Sequence, residues 1–371
     1  MSPLNMSRRS LLKMGGAALL AAPLYAAIRK EGLEAAFEVM RRAVADGLVA
    51  SAVVHVAQGG NRGSRAFGKA ASADAMYLLG SISKPIVMTG LMTLFEKGSF
   101  ALKDPVSRFI PEFSGEGREL VTLAHVLTHV SGLPDQLANN SELRRSHAPL
   151  SEFVRQTAKT PLLFAPGARY EYSSMGIMLA ARVAEIISGT DILTFTEKTV
   201  FEPLQMTRSA QGLGKFKVED FEPMQIEFAA PEAGGGDPSS KDWNWNSPYW
   251  RKLGAPWGGT HASAENVGRV LEELLFKRGK VLRPETAQLM VRNHNPEGFT
   301  PRGLGWNVGS AAGSAGCSVE TFGHTGSTGT IAWADPATET VCVVLTALPA
   351  RAVSPHPRDL AADAIAAAVS R

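Results

Sequence analysis

Apolar residues fall into two periods along this chain. Leu33, Phe37, Met40 and Val44 recur at three- and four-residue steps and predict an amphipathic helix from Gly32 to Asp46. The stretches Ala50 to Ala57 and Arg65 to Phe67, parted by Gly59-Gly60, predict two strands and a tight turn. Ile82, Ile86, Leu91, Leu94 and Phe95 then predict a helix from Ser81 to the basic stop at Lys97-Gly98. Pro85 falls in its first turn, where a missing amide hydrogen costs little.

From Asp104 to Thr207 the pattern is helical. Ser151 can cap a helix ending at Thr160-Pro161, Ser174 to Ser188 is apolar on most sides and stops at Gly189, and Ile192 to Val200 predicts a short helix. A helix apolar on most sides belongs in a core. Between Gly212 and Gly259 periodicity disappears and Trp243, Trp245, Tyr249, Trp250 and Trp257 accumulate among Gly, Pro and Asn. Such a stretch reads either as a wall over an active site or as an aromatic-stapled surface loop. Order returns with a helix from Ala264 to Phe276 and strand-like runs Phe322 to Thr325, Thr330 to Trp333 and Thr340 to Leu345. Asp335-Pro336 supplies the turn between the last two runs, and Leu360 to Val369 is a closing helix. The expected fold is α/β, an α+β sandwich in which helices flank a mostly antiparallel sheet. Residues 28–103 and 208–371 would form that domain, with 212–259 as its active-site loop. Residues 104–207 would be an all-helical insertion, and 28–371 one catalytic unit.

Composition narrows the class. With 371 residues, 44% hydrophobic and 20% charged, the chain can bury a large core. A formal net charge of +3 with scattered Lys and Arg argues against a nucleic-acid partner. Ser7-Arg8-Arg9-Ser10-Leu11-Leu12-Lys13, followed by an apolar run to Ala27, has the build of a twin-arginine export signal over residues 1–27. That run is too short for a comfortable membrane span. The expectation is a periplasmic or secreted protein with no stable membrane insertion once the signal is removed. Cys317 and Cys342 have no spacing signature and read as buried small hydrophobes rather than a disulfide.

The candidate chemistry centres on Ser81-Ile82-Ser83-Lys84 after Gly80. Residues three apart on a helix are neighbours, so a hydroxyl and an amine share one face. A serine needs a base to become a nucleophile, and a lysine serves if it is kept neutral. A helix start disfavours a protonated amine and stabilises negative charge on an oxygen under attack. The pattern alone is weak, because Ser10 and Lys13 match it too.

Other segments supply context. They are Leu127-Thr128-His129-Val130-Ser131-Gly132-Leu133-Pro134, Tyr172-Ser173-Ser174 preceded by Phe164-Ala165-Pro166-Gly167, and His324-Thr325-Gly326-Ser327 on a strand edge. With Phe201-Glu202-Pro203-Leu204 and Pro256-Trp257-Gly258-Gly259, the chain from Gly32 to Leu348 resembles the β-lactamase and penicillin-binding serine hydrolases. It is most similar to class C β-lactamases and the family VIII esterases built on that fold. The resemblance implies a β-lactamase/transpeptidase-like fold with Ser81 as acylated nucleophile and Lys84 as its base or proton shuttle. It implies Tyr172 as a second acid/base, an oxyanion hole from the amides of Ser81 and Ser327, and substrate contacts from Ser174, His324, Thr325, Gly326 and Trp257. No cofactor or metal is implied, and the oligomeric state is left open. A phenol and an amine of similar intrinsic pKa could share one proton.

Two departures bear on the substrate. Ser174 stands where the family has asparagine, and serine offers one donor on a shorter side chain. His324 stands where β-lactamases have lysine; a histidine is only partly protonated at neutral pH, so carboxylate recognition should weaken. These favour a small ester or amide substrate over a β-lactam. A class C-type β-lactamase, a D-amino-acid-specific peptidase and a penicillin-binding sensor with little turnover are the alternatives. His125 and His129 lie four apart, but no acidic residue between them and no third ligand points to a metal.

Overall fold

The computed structural model describes residues 30–369. The expected export segment lies outside the described residues. Two layers of helix enclose a six-stranded antiparallel sheet whose strands come from both ends of the chain, in the order β2-β1-β9-β8-β7-β6. These are β1 Ser51–Gln58, β2 Asn61–Gly68, β6 Asn307–Val308, β7 Phe322–Gly326, β8 Thr330–Asp335 and β9 Thr340–Thr346. A second sheet joins β3 Tyr77–Leu78, β5 Thr260–Ala262 and β4 Ser209–Gln211.

Every residue of β1, β8 and β9 is buried, because both sheet faces are covered. The two-residue period divides them: Ala52, Val54, Ile331, Trp333, Cys342 and Val344 face a core with Leu33, Phe37, Met40 and Ile365. Val53, Ala332, Val343 and Leu345 face the larger core with Val267 and Leu271. The first cover comes from the helices Lys30–Ala45 and Pro357–Ala368, which pack on each other, and the second from Ala264–Leu275. A slip of one residue would exchange the faces; Val53 opposite Leu345 and Ala332 opposite Val343 record the register.

Between 104 and 207 the elements are helical, chiefly Leu123–Leu127, Asn140–Arg145, Leu150–Thr157 and Ser174–Ser188. The helix expected over 192–200 is an α-turn at Ile192–Thr196 continued by a π-helical turn at Glu197–Phe201. The helix Ser83–Glu96 runs through the middle of the protein, buried from Ser83 to Met92. Each large apolar side chain it submerges contributes roughly 1.5–3 kcal/mol of transfer free energy. Its start carries the site, so the core fixes the chemistry. No helix among the described residues is long and apolar enough to cross a membrane. Cys317 and Cys342 are free, buried thiols.

Candidate active site

Gly80 sets up the first part of the site. It has φ +57, and a Cβ there would lie 2.9 Å from Thr328 Oγ1 and 3.2 Å from the Ser327 nitrogen. Only a residue without a side chain lets the chain turn this close to β7. Ser81 therefore sits in a 3-10 turn, Gly80–Ile82, and the α-helix proper starts at Ser83. Thr330 Oγ1 donates to the Leu79 carbonyl at 2.7 Å, and the Thr260 N–H donates to Ser83 Oγ at 3.0 Å, pinning the turn from two strands.

Lys84 Nζ donates to Ser81 Oγ at 2.8 Å and to the Trp257 carbonyl at 2.9 Å. Lys84 is buried, and that burial drives its pKa down to about 7; Asp135 opposes the shift and Arg302 adds to it. Removal of water around the amine is the largest cause of this shift.

Tyr172 completes the cluster. Its hydroxyl bonds to Ser81, and burial pushes its pKa above the usual phenol range against the effects of that bond and of Arg302. Its ring lies 4.9 Å from Lys84 Nζ and 4.6 Å from the His129 ring. The expected sharing of one proton between equals gives way to a split, with the amine moved down and the phenol up. Environments that drive two groups apart assign base and acid.

The expected substrate contacts differ in what they offer a substrate: His324, Thr325, Ser174 and Trp257 line cavities at Ser81, and Gly326 does not. His324 is buried, and its pKa is well below normal, from burial first and then Arg302 and Lys84; it is neutral rather than partly protonated. Its Nδ1 faces the Thr325 carbonyl at 2.7 Å and its Nε2 faces Arg302 Nη2 at 3.5 Å. A neutral ring with Nδ1–H donating and Nε2 accepting satisfies both contacts. Positive charge at this strand edge belongs to Arg302, which also bonds Asn307. Ser174 does not offer a free donor: its hydroxyl and its N–H both go to Asp135 Oδ1, at 2.6 and 2.9 Å. Gly326 is packing, since a Cβ there would lie 2.2 Å from the Leu79 carbonyl and from Thr330 Oγ1. Trp257 serves through its carbonyl, while its ring packs against Phe153 and Trp250. Thr325 and Ser327 line a cavity of about 610 Å3 together with Ser81, Tyr172, His324 and Arg302.

His129 lies beyond the short helix holding His125, at φ +61, and accepts the Ser173 N–H at Nδ1 over 3.1 Å. It positions the start of the Tyr172 segment. Asp135 and Arg302 escape sequence reasoning, because each is one charged residue in a loop. Asp135 directly follows Leu133-Pro134, a cue that is present; nothing local marks Arg302. From the 212–259 stretch, Trp245, Trp250 and Trp257 line a second cavity that also reaches Ser81.

Known proteins resemble this chain in sequence and in fold. Esterase EstB of Burkholderia gladioli is 30% identical over 274 residues, covering 66% of this chain and 68% of that protein. EstCE1, described as a hydrolase with promiscuous acyltransferase activity, superposes with a TM-score of 0.72 at 22% identity, covering 91% of this chain and 99% of that one. The D-amino acid amidase of Ochrobactrum anthropi SV3 superposes with a TM-score of 0.71 at 20% identity, again covering 91% and 99%. At that identity the two structures speak for the fold alone. Residues 37–368 match the family described as Beta-lactamase, and the chain belongs to the beta-lactamase family.

Proposed function

We propose that this chain is a serine acyl-hydrolase that forms an acyl-enzyme on Ser81 and turns over esters faster than β-lactams. The observation carrying this reading is the 2.8 Å contact between Ser81 Oγ and a buried Lys84 amine whose pKa is lowered to about 7. A neutral amine keeps one N–H on the Trp257 carbonyl and turns its lone pair to the Ser81 hydroxyl. As Ser81 Oγ bonds the substrate carbonyl carbon, its proton passes to Lys84. The amides of Ser81 and Ser327 are suited to hold the oxyanion, Ser327 being the residue against which Gly80 packs. The C–O bond to the leaving group then breaks, with Tyr172 giving that oxygen a proton and regaining one from Lys84. Water repeats the sequence in reverse to release the acid and restore Ser81.

Esters are favoured because a neutral histidine stands where β-lactamases have lysine, the neighbouring Arg302 guanidinium is engaged by Asn307 and His324, and the Ser174 hydroxyl is committed to Asp135. Hydrolysis of 4-nitrophenyl butyrate and of nitrocefin by wild-type and Ser81→Ala protein tests the reading. The expected result is ester kcat/KM well above that for nitrocefin, both lost in the variant; retained hydrolysis by Ser81→Ala overturns it. The arginine pair and apolar run of residues 1–27 support export by the twin-arginine route, which fractionation of cells expressing Arg8→Lys/Arg9→Lys protein tests.

A further inference from the structure

The second cavity, about 190 Å3, shares Ser81, Tyr172 and Ser327 with the first, and Arg144 in its wall has no role in the chemistry above. Arg144 is 4% exposed, and its Nε and Nη1 are buried without a hydrogen-bond partner. Its guanidinium lies 3.9 Å from the centre of the Trp250 ring. Stacking uses the face of the cation and leaves its N–H edge unspent. No carboxylate among the described residues comes within ion-pair distance of Arg144. Glu232, on the same cavity wall, is exposed and acts on it only through the field. Asp135, also in the wall, has Oδ1 occupied by both donors of Ser174. Burial lowers the Arg144 pKa to about 10, so it remains charged at neutral pH. A charge taken out of water without a paired anion is costly, and an oxyanion arriving at the guanidinium edge recovers part of that cost.

We propose that this cavity is a subsite for a free carboxylate carried by the substrate a few bonds from the scissile ester, held by the Arg144 guanidinium. The inference rests on the acyl-hydrolase reading for its location beside Ser81 and adds the substrate class: half-esters of dicarboxylic acids, or acetate esters of hydroxy acids.

Two pairs of probes test it. Monoethyl adipate against ethyl adipamate places the carboxylate, or its neutral amide isostere, on the acyl side. The acetate esters of 5-hydroxypentanoic acid and of its amide place it on the alcohol side. In wild-type protein one pair shows kcat/KM favouring the carboxylate by roughly tenfold or more, as a charge-assisted contact requires. Arg144→Gln cuts that ratio by roughly tenfold, and Arg144→Lys by less. A wild-type ratio at or below one in both pairs overturns the proposal without any variant, as does an unchanged ratio in Arg144→Gln. Calorimetric titration of Ser81→Ala protein with adipate needs no turnover. Binding lost on adding Arg144→Gln supports the subsite, whereas equal binding or none overturns it. A failure of the acyl-hydrolase reading would therefore show in the Ser81→Ala rates and leave this readout standing.

Discussion

Ser174 donates both its backbone N–H and its hydroxyl to one oxygen of Asp135, at 2.9 and 2.6 Å. This pair occupies the place where the family carries an asparagine, and it brings a negative charge that asparagine lacks. Asp135 raises the Lys84 pKa against the stronger effect of burial. Asp135→Asn keeps the size and an acceptor but removes the charge, so Lys84 loses its proton at lower pH. The acid limb of the kcat/KM profile, which rises as Lys84 becomes neutral near pH 7, should move down in pH. Profiles of the wild type and the variant with one neutral ester decide it. An unmoved or upward limb removes Asp135 from the control of Lys84.

Arg302 acts on the same amine with the opposite sign, since its charge lowers the Lys84 pKa. It lowers the Tyr172 pKa as well, and its guanidinium carbon is 5.7 Å from that ring. In Arg302→Gln the acid limb should move up in pH, and activity at pH 6 should fall more than activity at pH 8. A shift in the same direction as Asp135→Asn would show that repacking rather than charge governs both variants.

Lys84 makes the site a cost to the fold. In the unfolded chain it titrates near 10.5 and in the folded protein near 7. Between these values the unfolded state binds more protons, so stability rises with pH; below about 7 both states are charged and the penalty is complete. Every tenfold change in acidity between the two states corresponds to roughly 1.4 kcal/mol, so the penalty at low pH is on the order of a few kcal/mol. Lys84→Met should abolish activity, stabilise the protein most at pH 6, and stabilise it progressively less towards pH 9. Denaturant midpoints across that range check it, and a pH-independent difference would argue against a buried titrating amine.

The sequence exposes those parts of this site that are local. Ser81 and Lys84 are three apart, so one turn of chain brings them together, and Gly80 and Pro85 mark the turn. The strands β1, β8 and β9 are long enough for their apolar character to show. By contrast, β3 and β6 have two residues each, too short for any period, and are held by their neighbours in space. Asp135 and Arg302 are isolated charges in sequence and Arg144 is one of an arginine pair, where a solvated surface residue is the default reading. Only tertiary packing places Asp135 against Ser174, Arg144 on Trp250 and Arg302 beside His324. The neutral state of His324 is hidden for the same reason, because its burial and its cationic neighbour arrive from other segments.

Gly80 gives a prediction in which backbone geometry rather than charge is tested. A Cβ at this position, already strained by φ +57, would press on Thr328 Oγ1 and on the Ser327 nitrogen. The Ser327 N–H is one of the two oxyanion donors proposed above, and losing one such donor costs roughly 100- to 1000-fold in kcat. Gly80→Ala should therefore lower kcat by roughly tenfold or more through partial displacement, with a smaller change in KM. Steady-state kinetics on 4-nitrophenyl butyrate, with circular dichroism to show a folded protein, checks it. Wild-type kcat in Gly80→Ala would mean that Ser327 can shift without consequence.

Restoring the β-lactamase lysine should fail, for a reason visible around His324. Arg302 Nη2 is 3.5 Å from the His324 ring, in a buried setting where like charges repel strongly. His324→Lys places a second cation there, so ester hydrolysis should fall without a gain in nitrocefin turnover. Removing the neighbouring charge should relieve it: His324→Lys/Arg302→Gln should recover ester activity relative to His324→Lys alone. The coupling between the two positions should exceed roughly 1 kcal/mol in a double-mutant cycle on kcat/KM. Additive losses would show that His324 acts by shape alone, and that the electrostatic account of this strand edge is wrong.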